Sequence, residues 1–262
     1  GAIGEVMRLG SVTYNVLKDW DVETIITKLE EIGFEAVELR TTHKHGVEPP
    51  LSGEQRKKVT DRFQRSGIRL LSYGTTCEFH SPDAAERKKQ VEIGKQFVDL
   101  AHDTGAWGIK VRPNGMPEGV APEVTIGRIA SGLKELGDYG AVKGVEIWVE
   151  VHGRVTQNPP VAAAIMRQTR YDNVGLCWNS NPTDIVNGTI RPSFHLLKPW
   201  IRNVHINELA NPAYPWRELF GLLKEMNYDR YLLCEAQASA EPERYLRWYK
   251  ALFTELVRTC IA

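Results

Sequence analysis

Eight short β-branched runs alternate with longer amphipathic ones along the chain, and that alternation narrows the fold more than any other feature. The runs are "RLGSVTYN" (8–15), "AVELRTT" (36–42), "RLLSYGTT" (69–76), "WGIKVRP" (107–113), "VEIWVEVH" (145–152), "VGLCWNSN" (174–181), "IRNVHINE" (201–208) and "YLLCEAQ" (231–237). Between them apolar residues recur at helical spacing, as in "VETIITKLEEIG" (22–33), where Ile25, Ile26, Leu29 and Ile32 form one stripe. Gly33, Gly67, Gly105 and Gly144 each stand between a helical stretch and the next strand, where helix-terminating glycines belong. Strands that alternate with helices pair in parallel, because each helix carries the chain back across the sheet. Eight such units leave no length for a second domain. The pattern predicts an α/β fold, a single (β/α)8 TIM barrel domain spanning residues 1–262. A doubly wound sheet is the alternative. It calls for a GxGxxG turn after a strand, and none is present; "RPNGMPEG" is too proline-rich for a phosphate loop.

The chain's 33 basic side chains equal its 33 acidic ones. That balance excludes a nonspecific nucleic-acid binder, which needs excess positive charge to displace counterions from phosphates. No apolar run reaches the ~20 residues required to span a bilayer. Cys77, Cys177, Cys234 and Cys260 are widely spaced with no CxxC pair, and the first three fall in strand-like runs, where buried thiols are expected. The sequence begins at Gly1 without a methionine, as removal of a leader would leave it; an exported, periplasmic origin and a cytoplasmic one are weighted equally. The apolar segment "RYLRWYKALFTELV" either covers the barrel or serves a homo-oligomer contact.

In a barrel of this kind, reactive groups belong at the C-terminal ends of the strands. The polar residues collect there: Glu78 and His80, Lys110 and Arg112, Glu150 and His152, Asn179 and Asn181, His205 and Asn207, Glu235 and Gln237. Residues two apart in a strand share a face, so Glu150 and His152 of "WVEVHG" aim at one space. Singly, each has an ordinary explanation: a strand-end Glu as an ion-pair partner, His205 as a hydrogen-bonded core residue, Trp148 as packing. Convergence changes the balance. Glu150, Asn179, His205 and Glu235 end four consecutive strands, and burying two uncompensated carboxylates there is costly. A divalent cation compensates both.

With "GFEAVELR", "GVEIWVEVHG", "WIRNVHINE" and "YLLCEAQ" in these places, the chain resembles the xylose isomerase-like barrels, the superfamily of sugar isomerases and epimerases, inosose dehydratases and endonuclease IV. The resemblance covers nearly the whole chain. It implies one divalent metal ion, Mn²⁺, Mg²⁺ or similar, held by a Glu, an Asp, a His and a second Glu from strands five to eight. Carried over, these ligands are Glu150, Asn179, His205 and Glu235. One departs from the pattern: "GLCWNSNP" supplies the amide of Asn179 in place of the usual Asp, which removes one negative charge and lowers the expected metal affinity. Asp184 substitutes only if its loop folds back. The arginine and histidine that clamp substrate in the ordinary epimerases are missing from "NELANP" and "NSNPTD". The endonuclease IV branch, with three zinc ions, needs more ligands than these strand ends provide.

The resemblance implies a small-molecule carbohydrate substrate and a metal-dependent sugar or sugar phosphate isomerase or epimerase. Such an enzyme works through an enediolate, with Glu150 and Glu235 as acid and base. Lys110, Arg112, His152, Arg154, His43 and His80 are the candidates for contacting substrate. Glu38 is expected to pair with Arg40. Two other readings stay open: a lyase or dehydratase on the same scaffold, with His152, His43 or His80 as the acid, and a noncatalytic sugar-binding barrel whose metal site has decayed through Asn179.

Overall fold

A parallel strand buried on both faces must find hydrogen-bond partners along both edges, and a sheet closed on itself leaves no edge unpaired. The computed structural model describes residues 7–260, and its eight strands follow that solution. In chain order the elements are β1 (Arg8–Val12), α1 (Val22–Ile32), β2 (Ala36–Arg40), α2 (Gly53–Gln64), β3 (Arg69–Glu78), α3 (Ala84–Thr104), β4 (Gly108–Arg112) and α4 (Pro122–Lys143). The second half continues with β5 (Glu146–Glu150), α5 (Pro159–Thr169), β6 (Val174–Trp178), α6 (Arg191–Leu197), β7 (Ile201–Ile206), α7 (Trp216–Glu225), β8 (Tyr231–Cys234) and α8 (Pro242–Arg258). Every neighbouring pair is parallel, and β1 closes the ring on β8 with Leu9 opposite Leu232 and Ser11 opposite Cys234. The alternating runs therefore form the expected (β/α)8 barrel. The start of the chain at Gly1, on which the leader expectation rests, lies outside the described residues. No described helix is long and apolar enough to cross a membrane.

The strands alternate between two apolar layers. Ile147 and Val149 of β5 face outward into the main core beneath the helices, while Trp148 fills the barrel interior with Val12, Ala36, Leu71, Cys177 and Leu233. Helix α1 shows how sequence places a helix on that core. Asp21 caps it by accepting from the Thr24 amide at 2.8 Å, and Ile25, Ile26, Leu29 and Ile32 are buried. Each such side chain contributes roughly 1.5–3 kcal/mol by leaving water. Gly33 ends the helix at φ 97°, a left-handed conformation glycine adopts without steric cost. Gly105 and Gly144 end α3 and α4 the same way. Gly67 does not: α2 stops at Arg65, whose amide donates to Asp61 O and Phe63 O, and Gly67 lies in the turn beyond. Cys77, Cys177 and Cys234 are buried free thiols, as expected.

The N-terminal mouth of the barrel is sealed by charge and aromatic rings. Arg230 binds both oxygens of Glu146, at 2.8 and 2.9 Å, and donates to Arg202 O at 2.6 Å. Trp148 donates its indole N–H to the same carboxylate at 3.1 Å. Arg8 and Arg69 both donate to the Tyr231 hydroxyl, at 3.3 and 3.2 Å, and stack over Tyr231 and Trp107. This end has a partner for each of these charges.

Candidate metal centre and active site

At the opposite mouth the ladders bring distant residues together. Glu150 ends β5 opposite Cys177, and His205 in β7 stands opposite Leu233 of β8. Glu235 lies one residue past β8, but its amide still donates to Ile206 O at 2.7 Å, which keeps it in line with the sheet. Glu150, His205 and Glu235 each offer a ligand atom, and these atoms all lie within 4.8 Å of one another.

His205 is the hinge of the arrangement. Its Nε2 is 3.1 Å from Glu38 Oε1, and the other oxygen of Glu38 accepts from Ser72 Oγ at 2.8 Å. The pairing with Glu38 orients the imidazole with Nε2 on that carboxylate and Nδ1 turned to the cluster. A carboxylate on the far nitrogen is the usual support for a metal-ligating histidine. Nδ1 lies 3.3 Å from Glu150 Oε2 and 3.2 Å from Glu235 Oε2, yet it is buried with no hydrogen bond of acceptable geometry. Burial opposes a charged imidazole, but Cys177, Glu38 and Glu235 around it outweigh that and hold its pKa well above the ordinary value. The position thus attracts positive charge, which either a proton or a metal ion on Nδ1 satisfies. Burial likewise pushes Glu150 up, but Lys110 and His205 beside it prevail and hold it well below the usual carboxylate range.

Asn179 follows β6 and is buried. Its Nδ2 donates to Asn181 Oδ1 at 2.9 Å, while Asn181 Nδ2 donates to Val151 O at 2.6 Å. This relay orients the amide and leaves Asn179 Oδ1 buried without a partner. An unsatisfied buried acceptor costs about 1–3 kcal/mol. The two carboxylates and the imidazole nitrogen of Glu150, Glu235 and His205 form a donor set suited to a divalent ion such as Mn²⁺ or Zn²⁺. Asp184 does not fold back toward it. Its carboxylate accepts from the Asn181 amide at 2.9 Å and the Tyr214 hydroxyl at 2.7 Å, and burial raises its pKa to about 7.

Over the cluster opens a cavity of about 110 Å³, lined by Glu38, Arg40, Lys110, Arg112, Glu150, His152 and Glu235 with Val12 and Tyr14. Lys110 Nζ is 3.8 Å from Glu150. Arg112 binds Glu78 at 3.1 Å, Glu78 accepts from Asn114 Nδ2 at 2.8 Å, and Asn114 Oδ1 is 2.5 Å from His152 Nδ1. That chain orients the His152 ring, with Nδ1 on Asn114 and no partner taken by Nε2. Of the residues named from sequence as substrate contacts, Lys110, Arg112 and His152 therefore line the cavity, and His43, His80 and Arg154 do not. His43 bonds Thr13 Oγ1 at 2.9 Å and stacks on Tyr14; burial first, then Arg40, lowers its pKa to about 4. Arg154 donates to Met116 O, and His80 Nδ1 is buried without a partner.

Glu38 corrects a sequence expectation. It pairs with His205 instead of Arg40, whose guanidinium turns upward to Thr41 O and Thr42 Oγ1 and stacks over Tyr14 at 5.2 Å. The available signal was a carboxylate inside the apolar strand "AVELR". Arg40, Asn114 and Tyr14 carried no such mark.

No curated protein matches the sequence. Among solved structures the chain is similar to the 3-keto-D-glucoside 4-epimerase of E. coli, at 16% identity and a TM-score of 0.79, with 97% of this chain and 100% of that one covered. It is similar also to the D-psicose 3-epimerase of Clostridium cellulolyticum H10 (15% identity, TM-score 0.81, coverage 97% and 100%). A third is the IolI protein, solved with a bound zinc atom (18% identity, TM-score 0.81, coverage 98% and 100%). At these identities the likeness concerns the fold. The profile of the xylose isomerase-like TIM barrel family matches residues 26–252, most of the chain, and the protein belongs to that family.

Proposed function

We propose that the protein is a metal-dependent sugar isomerase or epimerase acting on a keto-sugar. The observation that carries this reading is His205 Nδ1, buried without a hydrogen bond between Glu150 and Glu235, two carboxylates that also line a polar cavity. Proteins of the same fold named as sugar epimerases, and one holding zinc, support it. Glu150, Asn179, His205 and Glu235 would hold the ion, which supplies Lewis-acid polarisation of the substrate carbonyl.

The chain's own residues do the rest. Glu150 is ionised at neutral pH and takes the proton α to the carbonyl. Glu235, contributed from the far side of the mouth, returns a proton to the other face of the same carbon for epimerisation, or to the neighbouring carbon for isomerisation. Lys110, beside Glu150, donates to the enediolate oxygen as charge develops. His205 stays fixed by Glu38 throughout. His152, with Nε2 free, orients a hydroxyl.

A lyase on the same scaffold is the second reading, and the Asn114–His152 pair favours it, because an oriented imidazole is the group that protonates a leaving oxygen. Incubation with Mn²⁺ and a panel of keto-sugars in D₂O separates the two. Deuterium at the α-carbon with no loss of water or aglycone is expected; release of a leaving group identifies a lyase. Absence of exchange, release and metal binding together would leave a noncatalytic sugar-binding barrel.

A further inference from the structure

The cavity above the cluster is charge-balanced only while it holds no ion. Its walls carry three cations, Arg40, Lys110 and Arg112, and three carboxylates, Glu38, Glu150 and Glu235. With a divalent ion among them the carboxylates fall two charges short of neutralising the walls, and Glu78, which binds Arg112, covers one of those. Lys110 has Glu150. Arg40 has no carboxylate partner among the described residues. Its Nη1 donates to Thr41 O and Thr42 Oγ1, both at 3.1 Å, while Nε and Nη2 have no acceptor. Those two N–H groups form the edge of a guanidinium that takes a carboxylate or phosphate through paired hydrogen bonds. The Tyr14 ring, 5.2 Å from the guanidinium carbon, backs the plane of the fork. A neutral polyol would leave that fork without a partner and the surplus charge in place.

Building on the keto-sugar reading, we propose that the substrate is an anionic keto-sugar, bearing a carboxylate or a phosphate, and that Arg40 is the residue that receives the anionic group. The cavity of about 110 Å³ is small beside the roughly 300–1,000 Å³ of pockets for drug-sized ligands, so the sugar is short. Lys110 and Arg112 add long-range attraction, and Arg40 supplies the directional contact.

Calorimetric titration with Mn²⁺ present tests this using matched pairs: D-ribulose against D-ribulose 5-phosphate, and L-sorbose against 5-keto-D-gluconate, which is L-sorbose with its C6 carbon oxidised to a carboxylate. The first pair isolates phosphate and the second carboxylate. One anionic member should bind roughly ten- to a hundredfold more tightly than its neutral partner, the range of a charge-assisted hydrogen bond. R40M should collapse that ratio toward one, with the circular dichroism spectrum preserved. R40K, which keeps the charge and loses the fork, should reduce it several-fold and serves alone if R40M fails to fold. Equal affinity for neutral and anionic sugars in both pairs would overturn the anionic assignment and leave the keto-sugar reading standing. A preference that survives R40M, or R40K where R40M is unfolded, would remove Arg40 as the receptor. Binding of none of the four sugars would sink both readings together.

Discussion

The two mouths of this barrel are built from similar materials and differ in how those materials are satisfied. At the N-terminal mouth Glu146 accepts from Arg230 through both oxygens and from Trp148, and Arg8 and Arg69 share the Tyr231 hydroxyl. At the C-terminal mouth Glu150, His205 and Glu235 converge, yet His205 Nδ1 and Asn179 Oδ1 have no partner. Buried polar groups are nearly always bonded, so the exceptions carry information. A closed network of charges is architecture. An open one, where two carboxylates and an imidazole converge, can hold a group from outside the chain. Lys110, held 3.8 Å from Glu150, marks the same mouth as a place where charge is managed more than neutralised.

The comparison can be broken most forcefully by mutating the two acids of the C-terminal mouth. Glu150→Gln and Glu235→Gln should each lower turnover by about 10³-fold or more, on the order of 4 kcal/mol of transition-state stabilisation, while the fold persists. Steady-state kinetics on whichever keto-sugar shows exchange reads this, and near-normal turnover in either variant would detach that carboxylate from the chemistry.

Asp184 tests whether the relay behind Asn179 is as closed as the N-terminal mouth. Its pKa is raised to about 7 by burial, against hydrogen bonds from Tyr214 and Asn181 that lower it. A carboxyl raised in the folded state favours folding when protonated. Its contribution is therefore complete below the unfolded pKa near 4 and is lost as pH rises through 7. The difference is on the order of 4 kcal/mol between those limits. Thermal denaturation of Asp184→Asn should show this pH dependence flattened and the Tm at pH 8 raised; an unchanged pH profile would contradict it.

Smaller effects sharpen the contrast. Glu38→Gln keeps the size of the side chain but weakens its grip on His205, and loss of such a partner typically costs 10- to 100-fold in metal affinity. Mn²⁺ titration by calorimetry measures it, and unaltered affinity would make Glu38 a packing residue. Asn179→Asp adds a charge at the free acceptor and should tighten Mn²⁺ about tenfold, since each added unit of opposite charge near the ion deepens the attraction; weaker binding would show that the amide oxygen does not ligate. At the other end, Glu146→Gln should cost about 1 kcal/mol of stability, modest because the pair is about a quarter exposed, and leave Mn²⁺ affinity alone. A change in metal binding there would mean that the two mouths communicate.

Much of this was legible in the sequence, for physical reasons that also explain the rest. Ile25, Ile26, Leu29 and Ile32 announce α1 because burial must repeat at the helical period, and a carboxylate such as Glu150 ending an apolar strand has few destinations. Glu150, His205 and Glu235 could be grouped because a closed parallel barrel brings all strand ends to one rim. The partner of Glu38 was not legible. Arg40 is two residues away on the same face, whereas His205 is 167 residues distant, and only the ring closure sets them side by side. His43, His80 and Arg154 lie in loops past the ladders, where a period of two no longer dictates aim. Gly67 follows a helix that ends earlier, at Arg65, so proximity to a strand did not make it a cap.

The central claim is that the C-terminal mouth is completed by a cation. Anomalous diffraction at the manganese edge, from crystals grown with Mn²⁺, tests it without reference to any substrate. A single strong peak is expected within bonding distance of Glu150, Glu235, His205 Nδ1 and Asn179 Oδ1. No peak at that position at millimolar Mn²⁺, with His205 Nδ1 bonded to a carboxylate instead, would contradict it.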